Sequence, residues 1–253
     1  MNQKLILLAA CVLAAAASAS AQTITEADGK YTISVGQTTM TIDATRGGKI
    51  LSYKLGDAEV LNQGRMPNSF GSTFWTSPQS EWNWPPVAEY DSKPFQAQIV
   101  GDKLVLTGEK SRFGYSVRKE FAAVPKKGAI AITYTIVNES DETRQVASWE
   151  ISRVPNDGVL FFVAPAVEPA NNMVGLPFEF TQGAAWYVMD EARENRKINA
   201  DGRGWLAYCA KGLLFVKKFQ DLKDKNEQNA SANAQASAQS LLEGAVQKAA
   251  EEA

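Results

Sequence analysis

From Tyr31 to Phe219 apolar and polar residues mostly alternate with a period of two. Successive side chains on a strand point to opposite faces, so this pattern predicts strands with one buried face. Residues 31–35, 39–43, 50–55 and 60–61 are the first such runs, the last two separated by a Gly56-Asp57 turn. Residues 98–100 and 104–107 flank Gly101-Asp102, a pair suited to the backbone of a tight hairpin. Residues 115–124 and 129–137 bracket Pro125-Lys-Lys-Gly128, and residues 146–154, 159–163, 186–189 and 205–219 complete the series. β-Branched and aromatic residues fill these segments, as a pleated, half-buried surface favours. No long helical period interrupts them. The expected fold class is all-β, an antiparallel β-sandwich forming one domain over residues 25–222.

The ends of the chain break this pattern. Residues 1–4 are a short basic start, residues 5–17 an apolar run, and Ala19-Ser20-Ala21 a small-x-small sequence. That is the layout of a signal peptide over residues 1–21, cut before Gln22. Leu8-Ala-Ala-Cys11 alternatively reads as a lipoprotein box with Cys11 acylated. Either route predicts export to the periplasm or beyond. The apolar run is short for a bilayer and no later segment is longer, so no membrane span is expected. Residues 223–253 are rich in Ala, Asn, Gln, Ser and Glu and hold no aromatic ring. Such a composition buries too little apolar surface to join a core, so a disordered tail with one marginal helix over residues 240–253 is expected. A linker and an altered reading frame at the 3′ end of the gene both account for it.

Charge and composition narrow the chemistry. The chain holds 26 basic and 28 acidic residues, a net of −2; without the leader, which contains Lys4, the net is −3 (25 − 28). No basic face is evident, so nucleic acid is not an expected partner. Beyond the leader only Cys209 remains, which rules out an internal disulfide. In its Trp-Leu-Ala-Tyr-Cys-Ala context it reads as a small core hydrophobe. The chain has no histidine. Ser-His-Asp and Cys-His nucleophiles are therefore excluded, as are histidine-bearing zinc sites. Neither GxGxxG nor a Walker pattern is present, so no cofactor and no metal are expected; calcium on loop carboxylates has no motif behind it.

Residues 74–90, FWTSPQSEWNWPPVAEY, carry three of the six tryptophans and three of the ten prolines. The segment is too broken for a helix or a long strand. Indole faces complement the C–H face of a sugar ring, and prolines lower the entropy lost on binding. Trp75, Trp82 and Trp84 with Glu81 thus read as a saccharide platform, with Gln79, Asn83 and Glu89 as further hydrogen-bonding groups. The plainer reading is that these rings plug one end of a sandwich. Glu81, Glu89 and Asp91 also offer carboxylates for a glycosidase pair, at a separation the sequence does not fix. In Trp149-Glu150-Ile-Ser-Arg153, strand alternation puts Trp149 with Arg153 on one face and Glu150 with Ser152 on the other. Either set faces a groove, where an arginine would hold a uronate or sulfate; a cross-strand ion pair is the plainer alternative. Asp190, Glu191, Arg193, Glu194 and Arg196 read as a charged surface turn, and Arg203 as a further polar candidate.

Thr45-Arg-Gly-Gly-Lys-Ile-Leu-Ser-Tyr-Lys-Leu-Gly-Asp-Ala-Glu-Val-Leu61 resembles the opening of galactose-mutarotase-like proteins, where a Gly-rich turn leads into two strands. Ile132-Thr-Tyr-Thr-Ile-Val-Asn-Glu-Ser140, followed by Trp149, is similar to that superfamily as well. Residues 148–154, 204–208 and 214–219 resemble more closely an exported bacterial family of unassigned function with the same fold. The resemblance covers residues 25–222 or so and implies an antiparallel β-supersandwich with a carbohydrate-sized groove. Mutarotases use a histidine acid and a glutamate base. Here Glu150 falls where the histidine is carried, and the Ala-rich tail occupies the region of the glutamate, so epimerase activity is not carried over. The expectation is an exported, non-catalytic protein whose partner is a mono- or oligosaccharide held by Trp75, Trp82, Trp84, Glu81, Trp149 and Arg153. Glu81 and Glu150 are the catalytic candidates if it is instead an epimerase or glycan-processing enzyme working through carboxylates. A structural or interaction protein of the cell envelope is the third alternative.

Overall fold

The computed structural model describes residues 22–64, 69–164, 166, 176–190, 197–199 and 202–221. The leader-like residues 1–21, the tail 223–253 and Glu191, Arg193, Glu194 and Arg196 lie outside the described residues. The strands are, in chain order, β1 (Gln22–Ala27), β2 (Lys30–Val35), β3 (Thr38–Asp43), β4 (Lys49–Leu55), β5 (Ala58–Glu59) and β6 (Ser72–Ser77). After a four-residue helix, α1 (Ala88–Asp91), come β7 (Gln96–Val100), β8 (Lys103–Thr107), β9 (Tyr115–Val124), β10 (Ala129–Asn138) and β11 (Ala147–Ser152). The last five are β12 (Val159–Val163), β13 (Glu179–Thr181), β14 (Ala184–Val188), β15 (Trp205–Ala210) and β16 (Leu213–Lys218). The fold is all-β and its ladders are antiparallel.

Turn chemistry sets the registers. β7 and β8 close on Gly101-Asp102 with Val100 opposite Lys103. β9 and β10 close on Pro125–Lys127 and Gly128, whose φ of 54° completes the turn. The apolar run 205–219 splits into β15 and β16 at Lys211 and Gly212, with φ of 52° and 73°. Both angles are positive, as a two-residue hairpin of the primed type requires. The Gly47-Gly48 pair answers a different need. A Cβ on Gly47 would lie 2.1 Å from the Asp91 carbonyl oxygen, and one on Gly48 would lie 2.9 Å from Leu106 Cδ1. Only glycine allows that approach at their φ of 65° and 56°.

The chain forms two compact units, each drawn from two stretches of sequence. The first takes its described residues from Met1–Lys49 and Trp75–Ser148, the second from Ile50–Phe74 and Trp149–Ala253. The crossings fall inside β4, β6 and β11.

The first unit is a sandwich. One layer is the β1-β2-β3 ladder; the other is a four-stranded sheet ordered β10-β9-β8-β7, with β2 facing β9. Ile33, Val35, Met40 and Ile42 from the first layer and Leu104, Leu106, Val117 and Phe121 from the second are buried. Full burial of each such side chain is worth about 1.5–3 kcal/mol. The second unit is built on a five-stranded sheet ordered β13-β14-β12-β15-β16. Its central strand β12 is apolar on both faces. Phe161 and Val163 pack with Trp205 and Ala207 on one side, and Phe162 and Ala164 with Ala185 on the other. Phe161 stacks on Trp186 at 4.5 Å, and Cys209 packs against the same cluster. In this unit β4 also pairs with β5 and meets β6 at Ile50 and Ser72.

Candidate functional site

The tryptophan loop belongs to the first unit, and it corrects the expected platform. β6 carries Trp75 inward, 7% exposed, with Nε1 donating to Asp91 Oδ1 at 2.7 Å. Trp82, 4% exposed, donates Nε1 to the Thr76 carbonyl at 3.0 Å. The two rings meet edge to face at 5.7 Å. Both indole donors are used internally and neither face is open, so these rings are packing and not a sugar seat. Burial of so much apolar area outweighs what an exposed ring would offer an absent ligand. Trp84 behaves differently. It is 70% exposed, between Asn83 at φ 57° and Pro85-Pro86, and stands edge-on to Trp75 at 6.2 Å.

The carboxylates of this loop each have separate work. Asp91 holds Trp75, and Glu89 pairs with Lys93 at 2.9 Å. Glu81 Oε1 accepts from Tyr115 Oη at 3.2 Å and lies 4.0 Å from Arg144 Nη1, while its buried Oε2 has no hydrogen-bond partner. Burial and the Glu81 charge raise the Tyr115 hydroxyl. Tyr90, buried beside it and bonded to Ser111, is pushed up to about 12 by burial.

The other predicted residues lie in the second unit. Strand alternation on β11 holds. Glu150 turns toward β6 and β16, where Oε1 accepts from Ser72 Oγ and from Ser152 Oγ at 3.1 Å. Its other oxygen is ion-paired with Lys217, which also reaches Ser152 Oγ at 3.3 Å. Burial lowers Lys217 to about 8. Glu150 is thus committed to a polar network linking three strands, which leaves it unsuited to open general-acid work. Trp149 and Arg153 take the opposite face. Arg153 Nη1 donates to Thr73 Oγ1 at 3.1 Å, and Lys197 Nζ lies 4.0 Å from the centre of the Trp149 ring. Asp190 lends its carbonyl to Asn156 at 3.3 Å, and Arg203, at φ 43°, occupies the short turn before β15.

A cleft not anticipated from sequence opens in the same unit, between β5, the turn after β11 and the β15–β16 hairpin. It is a shallow, open hollow of about 40 Å³. Val60, Pro155, Leu213 and Phe215 give it an apolar floor; Glu59, Asp157, Tyr208 and Lys211 give it polar walls. Tyr208 Oη donates to Asp157 Oδ1 at 2.8 Å and lies 2.9 Å from the Pro155 carbonyl oxygen. Lys211 Nζ lies 2.6 Å from Asp157 Oδ2. Lys211 and then Tyr208 hold the Asp157 carboxyl below its ordinary range, while burial and Asp157 raise the Tyr208 hydroxyl. Glu59 Oε1 accepts from the backbone of Tyr53 at 3.0 Å and Leu61 at 2.8 Å, which fixes its carboxylate on the rim. Glu59 sits in the stretch that resembles mutarotase-like proteins. Asp157 and Lys211 had only turn signals, Asn-Asp-Gly and Lys-Gly, to mark them.

No family model matches the chain, and no curated protein matches it. Among solved structures it is similar to a 4-alpha-glucanotransferase from Thermococcus litoralis, at 13% identity and a TM-score of 0.32. The match covers 47% of this chain and 25% of that one, so this chain spans a quarter of that protein, and the likeness carries no argument about activity.

Proposed function

We propose that this is an exported protein that recognises carbohydrate without transforming it, and that the cleft of the second unit is the seat. The observation that carries the reading is the lining of that cleft. One aromatic ring, Phe215, lies on an apolar floor while Tyr208, Asp157, Lys211 and Glu59 converge around it. A pyranose has the matching surface: a C–H face for the ring, and hydroxyls that both donate to carboxylates and accept from an ammonium group. The same contacts support a non-catalytic reading. Glu59 is occupied by backbone amides, and Asp157 by Tyr208 and Lys211, so neither carboxylate is poised as an acid or base. The signal-peptide layout of residues 1–21 supports export, and the resemblance of residues 45–61 to galactose-mutarotase-like proteins supports a sugar ligand.

The test is calorimetric titration with a panel of neutral mono- and oligosaccharides. At least one should bind, and Phe215→Ala and Asp157→Asn should each weaken it about tenfold or more, the effect of losing roughly 1.4 kcal/mol. Binding that survives both substitutions unchanged, or no binding across the panel, would remove the cleft as a sugar site.

A further inference from the structure

The margin of a β-sheet carries unpaired backbone N–H and C=O groups, and folded proteins guard it with charge, proline or brevity. Most margins of this chain are guarded. β1 and β11 carry Glu26 and Glu150, β16 ends on Lys217 and Lys218, β13 has three residues and β7 has five. β10 is the exception. It closes one side of the β10-β9-β8-β7 sheet and runs for ten residues, AIAITYTIVN, with no charged residue and no proline. Its register with β9 is unbroken from Ala129 opposite Val124 to Asn138 opposite Tyr115, so no bulge turns the margin away. Among the described residues no strand pairs with its outer side. Ile132 and Ile136 lie opposite Phe121 and Val117 and share their face, yet both stay half-buried while Phe121 and Val117 are fully buried.

We propose that β10 is the contact of a homodimer, pairing antiparallel with β10 of a second copy across a two-fold axis. Charge at the two ends of the strand selects that occupant. Lys126 and Lys127 stand in the exposed turn before β10, and Glu139 and Asp141, also exposed, follow it. Antiparallel self-pairing sets each basic turn beside the acidic end of the other copy, once at either end. Parallel pairing would set like charges together. Between the ends no charge opposes another. Alternation narrows the register. A two-fold axis perpendicular to the sheet keeps every side chain on its own face, so one residue meets itself on the axis and the pairs run outward symmetrically. With Thr133 on the axis, Ile130 falls opposite the partner's Ile136 and Ala129 opposite the partner's Val137. An axis at Tyr134 would set Ile130 against the partner's Asn138. The pairing joins two four-stranded sheets into one and uses both β10 margins, so association stops at two copies.

The experiment is analytical ultracentrifugation of the full chain loaded from about 1 to 100 µM, a range that brackets a micromolar pair. A monomer–dimer equilibrium should appear and weaken as salt rises. Thr133→Lys should raise the dissociation constant at least tenfold, because two ammonium groups then meet across the axis. Within its own sheet that lysine lies opposite Glu120, so the monomer keeps its fold, which a thermal melt verifies. Lys127→Glu should weaken pairing, and Lys127→Glu with Glu139→Lys should restore it, since the ends are complementary again. On oxidation Thr133→Cys should give a disulfide-linked dimer, whereas Thr135→Cys, set off the axis, should not. A monomer throughout the range, growth beyond two copies, or a dimer indifferent to Thr133→Lys would overturn the proposal. So would a charge-swapped double variant no tighter than Lys127→Glu, or Thr133→Cys that fails to cross-link.

Discussion

On β9, Lys119 puts its amine among apolar side chains, donating to the Gly47 carbonyl and lying 4.9 Å from the centre of the Phe95 ring. Burial lowers it from 10.5 to about 7, with Asp91 partly opposing the shift. The unfolded chain therefore binds more protons than the folded one between those two values, and stability rises with pH across that interval. Below pH 7 the cost of carrying the charge is fully present. Chemical denaturation of wild type and Lys119→Met from pH 6 to 10 should show wild type gaining relative to the variant by roughly a few kcal/mol as pH rises. Parallel curves would mean that the amine is not desolvated. The absolute offset also includes the Gly47 carbonyl left without its donor, so the slope is the informative quantity. Little of this was legible beforehand. Lys119 sits in an alternating strand like any outward lysine. Trp75 and Trp82 likewise showed their ring type and not the side they face, and it is their inward Nε1 bonds to Asp91 and Thr76 that decide their role.

Strands whose turns are written in glycine were readable almost to the residue. The Gly101-Asp102 hairpin and the β9–β10 pair are examples, and so is β12, whose run of large apolar residues is explained by cores on both faces. β6 was hidden by the prolines that follow it, β13 by its length of three residues, and the β15–β16 turn by the unbroken apolar run around Lys211-Gly212. The alternation on β11 was readable, but the partners on either side were not, because Ser72 and Lys217 come from distant strands. Those partners make a specific energetic prediction. Removing one member of a buried charge pair strands the other, at about 3–5 kcal/mol, whereas replacing both by apolar groups is far less costly. Glu150 and Lys217 leave 15% and 25% of their side chains exposed, so solvent screens part of this cost. Lys217→Met should destabilise by about 1–3 kcal/mol, and Glu150→Leu with Lys217→Met together should cost less than Lys217→Met alone, as measured by equilibrium unfolding. An additive double variant would show that the pair is not coupled.

Neither unit is a continuous piece of chain. Residues 50–74 belong with residues beyond 149, while residues 75–148 complete the first unit begun before residue 50. Strand periodicity is the same in both units and no linker marks the crossings inside β4, β6 and β11, so this division was not legible along the chain. A fragment covering 22–148 holds the described strands of the first unit but leaves 50–74 without the rest of its own. Trypsin should cut that fragment first at Lys54, detected by mass spectrometry, while the full chain resists there; equal resistance would argue against the division. The same threading has a consequence for the ribosome. Phe74 leaves the exit tunnel long before Trp149, with 75 residues (149 − 74) still to be added. At about 5–20 residues per second that is roughly 4–15 s. For that interval a nascent stretch holding Ile50, Val60, Leu61 and Phe74, all destined for the interior, must wait uncovered. Holdase chaperones, or synonymous codons that hasten translation between those points, are where selection on this gene would act.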